Sequence, residues 1–390
     1  MPFGVKSMSE LRSSLVEEIK SGERSISAIC RDYNVSRVTA YKWLNRRDSG
    51  ISMEDLSRAP LIIPNRTSQV VEDLIIQARQ EHPCWGGRKL KAYLERRGEI
   101  CIPSASTVTA ILHRHGLISK EASLAATPFK RFERENPNDL WQTDFKGHFM
   151  MLDGNRCHPL TVTDDMSRFN LCISAKDNER LPGVVESFLL LFKKYGLPLA
   201  ILCDNGKPWG TGSYFGGYTN FEVLLMDFGI LPIHGRPWHP QTQGKEERFH
   251  GTLKRELLMR EKIKDLSNAQ KRFDAFRKEY NEVRPHCALN YDVPADKYKK
   301  SDRIMPPKIS QWEYPQNLDV RYVTKGYVMF KNQKFYLSYA FEGKTVALRE
   351  SQKDGIIDII YRNFSLARIN ARERSMVSKK INRLKQNDME

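Results

Sequence analysis

No stretch of this chain approaches the roughly 18 consecutive apolar residues that span a bilayer. The most apolar run, Leu189 to Phe192, meets Lys193 and Lys194 at once. The opening residues, MPFGVKSMSELRSS, have no apolar core of the kind a secretion signal carries. Paired cysteines are missing as well. Seven cysteines (30, 84, 101, 157, 172, 203 and 287) are scattered without a C-x-x-C pair, which argues against a disulfide framework and for reduced, mostly buried thiols. His82, Cys84, Cys101, His113 and His115 share one region, but their spacing is not that of paired zinc ligands. The expectation is a cytoplasmic chain without a membrane partner. Acidic residues are also in deficit: 47 Asp and Glu against 63 Lys and Arg leave a net charge of +16. Such an excess favours an anionic partner, nucleic acid before membrane.

At 390 residues with 40% hydrophobic content, the chain is long enough for two to four domains with real cores. Residues 1–50 read as three short helices. Leu11, Leu15, Val16 and Ile19 have helical spacing, Ser25 is placed to cap a second helix, and Ser36 a third over 37–46. The third carries Arg37, Thr39, Lys42 and Arg46, the pattern of a helix-turn-helix whose basic second helix enters the major groove. After a linker over 48–66, residues 67–118 repeat the theme. Val70, Val71, Leu74, Ile75 and Ala78 mark one helix, Arg88 to Arg97 a basic second, and Ser104 to His115 a third. Arg88, Lys89, Thr107 and Arg114 are its candidate DNA contacts. Two such units in series suit a long, bipartite DNA site.

From Leu140 the pattern turns to strands: 140–149, 159–163 and 168–174, a helix over 181–195, a strand over 199–204, a helix over 220–228, and a strand over 230–234. Then comes HPQTQGKEERFHGTLKRELL, 239–258. Its Pro240 and Gly244 make a turn-prone entry, and Phe249, Leu253 and Leu257 form an apolar stripe on a helix. Glu247, His250 and Lys254 share another face of that helix. This order of elements makes a mixed sheet with helices on its faces, over 138–300. Residues 305–372 hold short strands with turn signals at Asn332-Gln333 and Asp354-Gly355, suggesting a small SH3-like β barrel. Residues 373–390 read as a mobile basic tail.

Three acids occupy telling places. Asp144 stands in an apolar strand in WQTDFKG, Asp204 ends another in ILCDNG, and Glu247 opens the late helix. An acid inside an apolar strand is costly unless paired or metal-bound, and hard oxygen ligands without Cys or His point to Mg²⁺ or Mn²⁺. Asp164 and Asp165 read as turn residues, and Trp141 and Trp209 as packing residues.

On WQTDFKG (141–147), VTDDMSRF (162–169), CDNGKPW (203–209), HPQTQGKEERFHGTLKREL (239–257) and YNEVRPHCAL (280–289), the chain resembles the transposases of bacterial insertion sequences with a retroviral-integrase-type core, the DDE transposase/integrase superfamily. The motifs cover roughly residues 130 to 300. Helix-turn-helix units before the core and a barrel after it are similar too. The resemblance implies an RNase H-like fold and a triad of Asp144, Asp204 and Glu247. Glu246 is the weaker third acid, because in related sequences the acid directly precedes the position held here by Arg248. Between Asp204 and Glu247 lie 42 residues, more than is common in the family, and the excess falls in the glycine-rich loop 211–220. Also implied are two Mg²⁺ ions per site, with Mn²⁺ able to substitute, and phosphate contacts from Lys245, Arg248, His250 and Lys254. The implied activity is cleavage at terminal inverted repeats of a mobile element and joining of 3′-hydroxyl ends to double-stranded target DNA. It implies a homo-oligomer on paired ends, associated with a bacterial nucleoid. The competing readings are a DNA-binding regulator that lost catalysis and a purely hydrolytic nuclease.

Overall fold

The computed structural model describes residues 7–56, 66–118, 134–210, 217–235, 244–351, 355–373 and 375–384. The turn-prone entry at 239–243, the loop at 211–216, most of the basic linker and the last six residues lie outside them. Two compact units are present, Met1–Thr67 and Ser68–Glu390.

In the first unit, α1 (Met8–Ser21), α2 (Ile26–Asp32) and α3 (Arg37–Asp48) pack around Leu15, Val16, Ile29, Trp43 and Met53. Ser7 and Glu10 form a reciprocal capping box on α1, satisfying donors that a helix start leaves open. Ser36 caps α3 by accepting the Thr39 N–H at 3.1 Å. Ser25 stands at the start of α2 without a side-chain cap bond.

The larger unit opens with α4 (Gln69–Glu81), α5 (Gly87–Arg96) and α6 (Ala105–Arg114), packed around Ile75, Trp85, Leu90, Leu94, Val108 and Leu112. A side chain at Gly87 would collide with Thr109 Oγ1 at 2.3 Å and the Ala105 carbonyl at 2.8 Å. That glycine lets α5 lie directly on α6.

Strands β1 (Leu140–Phe145), β2 (Phe149–Met150), β3 (Arg156–Asp164), β4 (Asn170–Lys176), β5 (Ala200–Cys203) and β6 (Leu231–His234) form a mixed sheet. β1 is its centre, antiparallel to β3 and parallel to β5. β6 adds parallel to β5, and β4 antiparallel to β3. The single strand expected over 140–149 is broken, because Gly147 adopts a φ of 81° that returns the chain into β2. α7 (Leu181–Tyr195) and α8 (Asn220–Asp227) cover one face through Trp141, Phe145, Phe188, Ile201, Cys203 and Phe221. α9 (Gly244–Leu253), a π-helical turn (Lys254–Leu258) and α10 (Leu266–Glu282) cover the other. There the stripe Phe249, Leu253 and Leu257 meets Cys157, Ile173 and Phe273. α11 (Pro294–Lys297) follows a buried arm.

The C-terminal strands are β7 (Asp319–Tyr322), β8 (Tyr327–Phe330), β9 (Gln333–Tyr336), β10 (Thr345–Glu350), β11 (Ile356–Tyr361), β12 (Phe364–Asn370) and β13 (Ser375–Arg383). Among the described residues they do not close into the expected barrel. Five run antiparallel in the order β13-β12-β11-β10-β7, and β8-β9 is a separate hairpin. The outer strand β13 is engaged with the core instead: Arg383 donates to the carbonyls of Leu199 at 2.8 Å and Gly229 at 2.6 Å. The expected basic tail is therefore corrected over 375–383. Its many lysines and arginines hid the apolar residues Met376 and Ile381, which pack on the C-terminal core.

Candidate active site

Strand register brings two of the three acids together. Gln142 on β1 lies opposite Leu202 on β5. Two residues further along each parallel strand, Asp144 and Asp204 emerge at the same end and on the same face, as alternation requires. Leu140, Ala200 and Leu202 pack on that face, while Trp141, Phe145, Ile201 and Cys203 point to the other. The carboxyl ends of neighbouring parallel strands are where α/β sheets place their ligands.

α9 brings the third acid across this face. Glu247 and Asp204 are exposed, whereas Asp144 is half-buried. Burial pushes the Asp144 carboxyl up to about 7, and the neighbouring charges of Asp204, Glu179 and Glu247 push in the same direction. Every side chain in that set is an acid. Among the described residues no three His, Cys, Asp or Glu side chains close into a coordination group; the carboxylates share an electrostatic neighbourhood. The donor set nevertheless fits hard divalent cations, because a cation relieves both burial and like-charge repulsion.

Glu246, next to Glu247, points elsewhere. It is 1% exposed and its Oε2 lies 2.9 Å from Thr161 Oγ1. Burial raises its carboxyl to about 8. Thr161, opposite Asp144 in the β1–β3 pair, also donates to the Asp144 carbonyl at 3.0 Å and sits 2.8 Å from His250 Nε2. His250 Nδ1 faces Asp144 Oδ2 at 4.0 Å. Burial, with Lys146 nearby, lowers His250 to about 4. Its expected approach to a DNA phosphate would therefore be as a neutral N–H donor rather than as a cation.

Lys146 was missed in the sequence. It stands two residues past Asp144, and its ammonium is lowered by burial and by Lys254. Two amines thus share the rim of the acidic site. Glu179 was missed too; its Oε1 accepts from His158 Nδ1 at 2.8 Å. At the other side, His234 bridges the Asp204 carbonyl at 2.9 Å and Glu222 Oε1 at 3.0 Å. Burial opposes its protonation, but the Glu222 bond and charge outweigh burial and raise it. Only the WQTDFKG motif carried a signal for Lys146; Glu179 and His234 had none.

The remaining expected DNA contacts divide. Arg37 and Lys42 on α3, Arg88 on α5, and Arg248 and Lys254 beside the acids are exposed. Thr39 and Thr107 are partly exposed and hydrogen-bond the caps Ser36 and Ser104 at 2.9 Å. Four of the expected cations have partners within the protein. Lys245 lies 2.6 Å from the buried Asp165, tying the start of α9 to the β3–β4 turn. Arg114 pairs with the buried Glu72 at 2.6 Å. Arg46 stacks over Trp43 at 4.7 Å and donates to the Glu54 carbonyl at 3.1 Å. Lys89 turns into the junction with Glu256 and Arg284, where burial lowers it to about 8. Asp164 fills its turn role, accepting from Asn138 N at 2.7 Å and from Ser167 Oγ at 2.6 Å. Trp141 and Trp209 are core residues. His82 stacks on Trp85 and pairs with Glu279 at 3.1 Å.

A central mixed sheet with acids at adjoining strand ends, preceded by helix-turn-helix elements, defines an integrase core of RNase H-like fold joined to DNA-binding helices. Known families agree. The integrase core domain matches residues 134–240 and, as a second form, 228–294. A homeodomain-like domain matches 39–112, and the C-terminal domain of IS481 family transposases matches 319–377. The chain is 26% identical over 253 residues to an uncharacterized 39.2 kDa protein of insertion element IS476 from Xanthomonas euvesicatoria, covering 64% of this chain and 70% of that one. It is 26% identical over 249 residues to the 31.7 kDa protein of insertion element IS407 from Burkholderia multivorans, covering 60% and 82%. The HTLV-2 integrase catalytic core domain, solved in complex with magnesium, aligns at 19% identity over 42% of this chain and 98% of that one, with a TM-score of 0.33. The chain thus carries an integrase core and is similar to the transposases of bacterial insertion sequences. Its general role is DNA transposition. No helix among the described residues is long and apolar enough to cross a membrane.

Proposed function

We propose that this transposase binds the terminal inverted repeats of its element, cleaves the phosphodiesters there, and joins the 3′-hydroxyl ends to target DNA. Asp144, Asp204 and Glu247 are its acids. The observation that carries the reading is the strand register, which sets Asp144 and Asp204 at adjoining ends of paired parallel strands, with Asp204, Glu179 and Glu247 adding to the burial that raises the half-buried Asp144 carboxyl. Divalent cations relieve that repulsion. The three carboxylates would hold two Mg²⁺ ions, with Mn²⁺ as a substitute. When bound, such ions activate the attacking oxygen and stabilise the leaving oxygen of an in-line displacement.

The chain's own residues do the positioning. Asp144 and Asp204 ride on adjacent strands of a rigid sheet, and Glu247 is carried on a helix pinned by Phe249, Leu253 and the Lys245–Asp165 pair. Lys146 and Lys254 lie at the rim, where a backbone phosphate of the cut strand can be held beside the acids. Exposed Arg37, Lys42 and Arg88 supply contacts for reading the element end, and net positive charge supports them through counterion release. An element has two ends, so the working form is a dimer or larger on paired DNA.

The test is labelled-end cleavage and joining in Mg²⁺ or Mn²⁺, beside a gel-shift titration. Asp204→Asn keeps the side chain's shape but loses a charge and a strong metal ligand. It should bind ends as wild type does, or slightly tighter, and neither cut nor join. Full activity in this variant would sink the assignment; wild-type protein that binds ends and never cuts would favour a regulator.

A further inference from the structure

We propose that Glu256 and Arg284 are a positioning pair that aims Lys254 at the acidic site, and that the helical unit 69–114 completes this joint. The inference rests on the function proposed above.

At Leu253, α9 gives way to the π-helical turn 254–258, a local widening often associated with functional sites. Lys254 opens that turn, seven residues after Glu247, and its charge reaches Lys146, two residues from Asp144. Two amines repel each other and both are drawn to water, so something must hold the turn in place. Leu257 does part of this from the core side. Glu256 does the rest. Its two oxygens take Arg284 Nε at 3.2 and 3.0 Å and Nη2 at 2.9 Å. Both side chains are less than a tenth exposed. Arg284 lies over the Tyr280 ring, and Tyr280 packs edge-on against Phe249 of α9.

A buried ion pair is poor evidence of stability, because apolar packing does that work without desolvating two charges. What a forked guanidinium adds is direction. The second helical unit reaches the same turn. The Trp85 indole lies 3.5 Å from Glu256 Oε2, Cys84 Sγ lies 3.8 Å from the Arg255 carbonyl, and Val283 packs into the helical unit's core. A bidentate Arg96–Asp296 pair, at 2.6 and 2.9 Å, closes the far side. Helices that read DNA and the helix that carries Glu247 thus meet at one carboxylate.

The test compares wild type, Arg284→Lys, Glu256→Gln, Lys254→Ala and the Lys254→Ala doubles. Three quantities are measured: cleavage rate at saturating element-end DNA, end affinity by gel shift, and Tm. Arg284→Lys keeps the charge and loses the fork. It should cut about tenfold to a hundredfold more slowly, the range expected of a small misplacement, with end affinity within about twofold of wild type. Each double should be no slower than Lys254→Ala alone, because a pair that acts through Lys254 has nothing left to aim. If Glu256→Gln fails to fold, Arg284→Lys and its double decide. Unchanged saturating rates, or defects that multiply in the doubles, would overturn the proposal while leaving the proposed function intact. Wild type that binds ends without cutting overturns both.

Discussion

Two adjacent glutamates in KEERF should respond in opposite ways to loss of charge, and Glu246→Gln is the informative case. Glu246 is fully buried, and burial raises its carboxyl from the ordinary 4.5 to about 8. The unfolded chain releases this proton near 4.5, whereas the folded protein keeps it until about 8. Between those values the native state binds more protons, so stability falls as pH rises. At about 1.4 kcal/mol per pH unit, the ceiling on this loss by pH 7 is roughly 3 kcal/mol. Glutamine removes the titration while nearly keeping the shape of the protonated acid. Glu246→Gln should therefore be more stable than wild type at pH 7.5, by up to several degrees in Tm at about 2–4 °C per kcal/mol. The gain should shrink toward zero at pH 4.5. Melting in EDTA across that range is the assay, with end cleavage in Mg²⁺ alongside it. Cleavage should stay within about tenfold of wild type, because the proposed ligand is Glu247 and Glu247→Gln should abolish it. A Glu246 variant less stable than wild type at pH 7.5, with a difference that ignores pH, would refute the reasoning.

Lys245→Met should strip the partner from buried Asp165 and cost about 3–5 kcal/mol in denaturant unfolding. Because that ammonium is committed inside, the salt dependence of end binding should barely change, in contrast to Lys254→Ala. Asp227 holds Lys344 at 2.8 Å and Arg362 at 2.9 Å across the α8 junction with the C-terminal sheet. Asp227→Ala should lower Tm by an amount matching a loss of about 3–5 kcal/mol, read by calorimetry. Truncation after residue 373 should expose the edge of β12 and produce aggregation in light scattering; a monodisperse, fully active product would contradict the place of β13 in the sheet. Removal of residues 1–67, a compact unit with its own core, should leave the larger unit folded by circular dichroism and weaken preference for the cognate end in footprinting.

Local pattern carried much of this protein by itself. The stripe Phe249, Leu253 and Leu257 named the buried face of α9, because side chains four apart in a helix must share a side. Ser36 and Ser104 announced their helices because a hydroxyl there satisfies an open backbone N–H. Asp144 and Asp204 stood out because an acid at the end of an apolar strand has no local partner. The resemblance favoured Glu247 over Glu246 as the third acid, and the tertiary structure added where each side chain lies. Glu246 and Glu247 are chemically identical in sequence, but one step along a helix turns a side chain by about 100°, which sends the first under the sheet and leaves the second in solvent. Cations were the least legible residues. Lys245 finds Asp165 eighty residues away, and Lys89 finds a junction formed with residues 256 and 284. Arg383 turns a supposed tail into an edge strand held on the core. A charge acts on whatever the fold brings within a few ångströms, and that distance is set by the packing of remote elements, which no spacing along the chain records.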